Sequence, residues 1–286
     1  MFDRSVPDNS LPNEPLLPDT FVSVYGPVSS WRYGKSLGID PIGPVSTCSF
    51  NCVYCQLGEI QDRTAERRVF VPTAKILKDL QAFAPWEVDA ITFSGNGEPT
   101  LALNLGEAIV EVKRLTHKPV TVLTNATRLG DLDVRTALGE ADRVAAKLDA
   151  VFPSELKRID RPVFGLNWQG IWAGLQELRQ DYRGILEIQT MLLTPWTDTQ
   201  RVEYIRLMRE LQPDAIQLNT PTRPKPVVPQ LEARGNHSDA ASRPYEVHQL
   251  KQVPTSVLAE IAKAVEAETG IPVRFTPARS DSATDR

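Results

Sequence analysis

Cysteine is scarce in this chain. There are three among 286 residues, and all of them, Cys48, Cys52 and Cys55, fall within eight positions. None is left to serve elsewhere as a small buried apolar residue, an ordinary use of a free thiol. Long apolar runs are missing as well: no stretch reaches the roughly eighteen residues that a membrane-spanning helix needs. The opening MFDRSVPDNSLPNEPLLPDT has neither a basic n-region nor an apolar h-region, which argues against a secretory signal. The expected address is therefore the cytoplasm, where thiols stay reduced and disulfides are rare. A basic surplus is absent too, with 32 basic against 36 acidic residues and a net charge of −4. Proteins that grip long duplex nucleic acid usually show a basic stripe. The one dense basic patch, DRTAERR with Arg63, Arg67 and Arg68, reads as a solvated face. Composition neither supports nor excludes an RNA substrate.

What is present suits a single packed domain. The apolar fraction of 41% supports a core, and the length is normal for one α/β barrel. Short apolar runs predict strands at VDAITFSG (88–95), PVTVLTN (119–125), DRVAAKLDA (142–150), GILEIQTMLL (184–193) and DAIQLNT (214–220), with IPVRF (271–275) as a last one. Between them lie amphipathic helical patterns such as TAKILKDLQAF, LGEAIVEVKRL and TQRVEYIRLMREL. Alternation at this spacing predicts an α/β fold with a parallel sheet closed, or partly closed, into a β/α barrel. The expected barrel covers residues 21–276, between flexible tails at 1–20 and 277–286. The proline-rich, polar segment 221–254 breaks the rhythm, and reads as either a lid over a site or a disordered insertion.

Three thiols in TCSFNCVYCQLG (47–58) admit four uses. Burial of all three is an odd way to pack a mostly polar stretch. A redox dithiol would use Cys52 and Cys55 and leave Cys48 unexplained. Structural zinc wants four ligands, and His117, His237 and His248 lie far away in sequence. An iron–sulfur cube suits three thiolates on a short loop best, and would leave its fourth iron without a protein ligand.

Other strand ends carry polar residues. VDAITFSG runs into Gly95-Asn96-Gly97-Glu98-Pro99, whose glycines permit close approach of the backbone to a ligand. Lys147 and Asp149 alternate with Leu148 and so share one strand face, where unpaired charges would be costly. They read as either an internal salt bridge or ligand contacts. Asn125, Gln189, Gln217 and Asn219 lie near the ends of further strands and together suggest a polar cavity at one end of the barrel.

The spacing C-x3-C-x2-C, with Tyr54 directly before the last cysteine, resembles the signature of the radical S-adenosylmethionine (SAM) superfamily. The resemblance implies a partial (β/α)6 barrel with parallel strands and outer helices. It also implies a [4Fe–4S] cluster on Cys48, Cys52 and Cys55, with SAM chelating the open iron, and a reductant such as a flavodoxin or ferredoxin. Tyr54 would pack near the adenine. Gly97 and Glu98 stand in the family's Gly-Gly-Glu element, which receives the SAM amino group. Asn125, Lys147, Asp149, Gln189 and Asn219 complete the expected cofactor contacts. VYGPVSSWRYGKSLGIDPIG, KLDAVFPSELKRIDRP and QLNTPTRPKP further resemble a subgroup similar to the wyosine tRNA-modification enzymes, which implies a tRNA or nucleotide substrate. The chain departs from those enzymes in having no cysteine for a second cluster, and in carrying Gln56-Leu57-Gly58 after its last cysteine. The remaining readings are a metal- or cluster-bearing binding module without catalysis and a dithiol oxidoreductase.

Overall fold

The computed structural model describes residues 17–235 and 244–277. Most of both expected tails, and part of the proline-rich segment, lie outside the described residues. The chain opens with an antiparallel hairpin, β1 (Val24–Ser30) and β2 (Gly34–Ile39). Six strands follow: β3 (Ala90–Phe93), β4 (Val120–Thr124), β5 (Arg143–Lys147), β6 (Ile185–Met191), β7 (Ala215–Asn219) and β8 (Val273–Phe275). All eight form one sheet in sequence order, and every pairing from β2 to β8 is parallel. The strands β1 and β8 are its two edges, so the sheet stays open, a curled half-barrel and not a closed barrel. The six strands expected from the sequence are β3 to β8. The hairpin was not among them.

Parallel neighbours need crossovers, and helices supply them: α1 (Thr73–Gln81), α2 (Leu105–Thr116), α3 (Leu132–Leu138), α4 (Pro153–Ile159), α5 (Trp168–Asp181), α6 (Asp198–Leu211) and α7 (Thr255–Thr269). A capping box between Thr197 and Gln200 starts α6. That helix buries Tyr204, Ile205, Leu207, Met208 and Leu211 on one side. Its Tyr204 hydroxyl lies 2.9 Å from Thr190 Oγ1, so Thr190 of β6 faces the helices. By alternation Leu186 and Ile188 face outward with it, both fully buried, while Glu187 and Gln189 face the interior. Each such aliphatic side chain contributes about 1.5–3 kcal/mol through burial.

The hairpin closes the N-terminal end of the half-barrel. Tyr25 lies flat across Gly38, where any Cβ would overlap its ring. At the turn, Tyr33 donates to the fully buried Glu187, which also accepts from Gln217 at 2.6 Å, Arg143 at 2.5 Å and Arg274 at 2.6 Å.

Asp79 of α1 fixes the hairpin's start by accepting from Ser23 N and Ser23 Oγ, both at 2.8 Å, with Lys75 alongside. Burial acts to raise the Asp79 pKa, but these donors win and hold it below its ordinary value. Its stabilisation is therefore complete above the usual carboxylate range and lost as the pH falls through the depressed value. Asp79→Asn should reduce stability by about 1.5–3 kcal/mol at pH 7, the scale of hydrogen bonds to a charged group. The gap to wild type should shrink in acid, as read by urea unfolding of the cluster-free protein at several pH values. A gap that widens in acid would contradict this.

Candidate active site

The loop after β2 carries all three cysteines, at the C-terminal ends of the parallel strands, where barrel enzymes build their sites. It begins at Asp40, fully buried, whose carboxylate accepts from Ile42 N at 2.9 Å and Gly43 N at 3.1 Å. Thr47 and Cys48 pair with Asp62 and Arg63 in a short parallel ladder. On one flank, Thr47 N donates to Asn96 O at 3.0 Å and Glu98 N to Thr47 O at 3.0 Å. On the other, Asn51 N donates to Asp160 O and Val53 N to Ile159 O, both at 2.9 Å, which ties the loop to the end of α4. Asn51 closes the loop internally, donating to Glu59 at 2.5 Å and accepting from Ile60 N at 3.2 Å.

The thiols are free and half-buried. Burial raises all three pKa values, that of Cys48 to about 12, where the Glu98 carboxylate raises it further. Asn125 Nδ2 donates to Cys48 Sγ at 3.4 Å and to Ser49 Oγ at 2.9 Å. Cys52 Sγ lies 3.6 Å from Asp160 Oδ1. Among the described residues no three His, Cys, Asp or Glu side chains converge on a point that one metal ion would occupy. The donor set instead fits three corners of a larger cluster: three free thiols on one loop, in a chain with no fourth cysteine.

Lys147, at the end of β5, pairs with Asp149 at 2.7 Å and with Asp160, and its ammonium sits over the rings of Phe50 and Tyr54. Burial acts to lower the Lys147 pKa, but the two carboxylates outweigh it and raise it. Burial pushes Asp160 up to about 6 in spite of Lys147. Tyr54 donates its hydroxyl to Asp149, whose other oxygen accepts from Met191 N at 2.9 Å. Lys147 and Asp149 thus do form an internal salt bridge, and it stands beside the cysteines. Asp160 completes it and was missed as a site residue, although it lies in the quoted stretch KLDAVFPSELKRIDRP.

The remaining expected residues divide. Asn219, buried at the end of β7, donates to Gln217 O at 3.2 Å. Gln189 sits deeper, bonded to Arg32, Tyr33 and Gln217. Glu98 is almost fully buried and accepts from Thr100 N, Thr100 Oγ1, Thr124 Oγ1 and Asn125 N at 2.6–3.1 Å. Burial raises its pKa, opposed by these donors. Glu98 therefore cross-links the ends of β3 and β4 and holds Asn125 against Cys48. Glu98→Gln replaces an oxygen with a donor facing donors, and should reduce stability by about 2–3 kcal/mol, the scale for losing charge-assisted hydrogen bonds. Unchanged thermal unfolding of the variant would refute this cross-link.

In the proline-rich segment, the described residues 221–235 run as a strap against the loop that carries the cysteines. Lys225 and Pro226 pair with His248 and Val247. Arg234 forms a buried ion pair with Asp40 at 2.7 Å, and Lys225 an exposed one with Glu59 at 2.5 Å. Arg223 donates to Gln56 at 2.5 Å.

A curled parallel sheet with three clustered thiols at its mouth defines a class, and the comparisons agree. Residues 42–208 match the Radical SAM superfamily model. A UPF0026 protein of Synechocystis is 52% identical over 260 residues, 91% of this chain and 98% of that protein. A UPF0026 protein of Methanocaldococcus jannaschii is 36% identical over 206 residues, 70% of this chain and 64% of its own length. The crystal structure of Streptococcus suis SuiB bound to S-adenosylmethionine superimposes with a TM-score of 0.56 at 11% identity, covering 85% of this chain and 47% of SuiB, a likeness of fold. The chain belongs to the radical SAM superfamily and, within it, to the UPF0026 proteins. Membership brings a [4Fe–4S] cluster and SAM as cofactors. Among the described residues no helix is long and apolar enough to cross a membrane.

Proposed function

We propose that this protein is a radical SAM enzyme in which Cys48, Cys52 and Cys55 hold three corners of a [4Fe–4S] cluster. When bound, the cluster would pass an electron from a flavodoxin or ferredoxin to SAM, yielding methionine and a 5′-deoxyadenosyl radical that takes hydrogen from the substrate. The observation that carries this reading is the gathering of every thiol of the chain on one loop at the mouth of the half-barrel, with Asn125 donating to the Cys48 sulfur. Such a bond to a cluster sulfur tunes its potential.

Tyr54, Asn125, Lys147, Asp149 and Asn219 share that mouth and are the side chains proposed to contact SAM. Gly97 contributes backbone. Glu98 and Gln189 are held by protein groups and act by positioning their neighbours. The stretches resembling the wyosine tRNA-modification subgroup favour a tRNA or nucleotide substrate, though not the wyosine reaction, whose second cluster would find no cysteines here.

Anaerobic reconstitution with iron and sulfide, followed by product analysis with SAM and dithionite, tests the reading. About one four-iron cluster per chain and release of 5′-deoxyadenosine are expected. Stoichiometric zinc without iron would overturn it. A cluster that never cleaves SAM would point to a binding module, and full activity in Cys48→Ala to a dithiol enzyme.

A further inference from the structure

The loop that follows α4 carries Phe164, the most exposed large apolar side chain among the described residues, which stands wholly in solvent. That loop is fixed to the cysteine loop at three points: Asn51 N donates to Asp160 O, Val53 N to Ile159 O and Val163 N to Ser49 O, each at 2.9 Å. Cys52 Sγ lies 3.6 Å from Asp160 Oδ1, so little chain separates this surface from the thiols. Four exposed cations lie on the same segment or touch it. Lys157 and Arg158 stand in the last turn of α4, and Arg161 follows. Arg63, from the basic patch DRTAERR, donates its Nη2 to Arg161 O at 3.0 Å. The neighbouring carboxylates are already taken: Asp62 pairs with Arg68, Asp160 with Lys147, and Glu59 with Lys225. Among the described residues none of the four cations has a carboxylate partner of its own. A local patch of positive charge is left on a chain whose net charge is −4.

A phenyl ring held in water gains free energy when a partner covers it, and this one is accompanied by charge of one sign. We propose that Phe164, with Arg63, Lys157, Arg158 and Arg161, docks the reductant, a small acidic electron-transfer protein. This rests on the radical SAM reading above and adds to it the face by which the donor arrives. Encounters between electron-transfer proteins bury little area, less than about 1,200 Å². They set an apolar contact beside polar and charged groups and are steered by opposite charge. The patch has both features. Because its backbone is bonded to the cysteine loop, a donor seated there is held beside the thiols. The donor's reduced centre loses one electron and the enzyme's cluster gains it, with no bond made or broken. A strand of RNA also matches a ring among cations. The chain as a whole is acidic, however, which suits a compact acidic partner on one local patch better than a long polyanion.

The test is anaerobic calorimetric titration of the cluster-loaded full chain with oxidised flavodoxin and with oxidised [2Fe–2S] ferredoxin, with a single-stranded RNA and SAM in parallel. Wild type should bind at least one of the two donors, and more weakly as salt rises. Phe164→Ala and Arg161→Glu should each weaken that binding at least about tenfold, with the SAM dissociation constant changed less than about twofold. Both side chains are exposed, so both variants should fold. Reduction of the cluster by the reduced donor, followed by absorbance, should slow in step with the lost affinity. Deoxyadenosine formation driven by dithionite, which needs no docking face, should change less than about twofold. Three results would overturn the proposal: no donor bound by wild type, donor affinity unchanged in both variants, or a dithionite-driven rate that falls as far as the donor-driven one. Loss of RNA binding with donor binding intact would overturn it too, and assign the patch to nucleic acid. Failure of wild type to cleave SAM with dithionite is scored separately. With donor binding present in wild type and lost in the variants, it would sink the radical reading and leave the docking face standing.

Discussion

Replacing any one of Cys48, Cys52 and Cys55 with alanine should strip the anaerobically reconstituted protein of its iron and abolish 5′-deoxyadenosine formation. The loss should exceed the roughly 10–100-fold typical of changes in groups that merely support metal ligands. The chain has no spare cysteine to take over a vacant corner. The sulfurs themselves hold little of the loop together. Its shape comes from Asn51, from the Thr47–Asn96 and Glu98–Thr47 backbone bonds and from the end of α4. Each variant should therefore fold with its loop in place and lack only a ligand. Iron content and thermal unfolding, measured together, separate the two effects. Wild-type iron in any one variant would remove that residue from the centre.

Gly97→Ala should produce the largest loss of stability, about 3 kcal/mol or more. A Cβ at this position would sit inside the Thr47 carbonyl oxygen, and backbone cannot step aside as a flexible side chain can. Overpacking alone costs about 1–3 kcal/mol. Forcing the strands apart also breaks the Thr47–Asn96 and Glu98–Thr47 bonds, each worth about 0.5–1.5 kcal/mol. Because Thr47 precedes Cys48, cluster loading should fall with stability. Gly130→Ala is the matched control: its Cβ meets nothing within 4 Å, and the change should stay within about 0.5 kcal/mol. Equal unfolding midpoints for the two variants would show that the close approach at Gly97 does not matter.

The contrast between Gly97 and Asp160 shows how far the chain could be read unaided. Strands β3 to β8 were legible because buried parallel strands demand unbroken apolar runs, and the helices between them repeat on their own period. The cysteine loop and the Gly95–Pro99 turn were legible because their chemistry is written in consecutive residues. The hairpin was not. Its Gly26, Pro27 and run of serines disguise alternation, and its register shifts between Tyr25 and Val28. Lys147 and Asp149 could be placed on one face, but Asp160 reaches them only through the fold of α4. Whether the strap was a lid or a loose insertion stayed open in the sequence because Arg234 and Asp40, which anchor it, lie 194 residues apart. Partners at such separation leave no local pattern.

Each strand of the sheet pairs with the one that precedes it among the eight, with only two-residue ladders made in between. During synthesis, each new strand therefore meets an edge that has just been laid down, and the sheet can grow one unit at a time from the hairpin. The cysteines leave the ribosome early, directly after β2, but the residues that shelter them do not. The Glu98 turn comes next, then Asn125, then Asp160, and Arg223 and Arg234 come only when the strap is made. A nascent chain thus displays its three thiols before their surroundings exist. Completion of the metal centre is tied to the last third of translation, and a chain truncated before the strap would carry the ligands without the shelter.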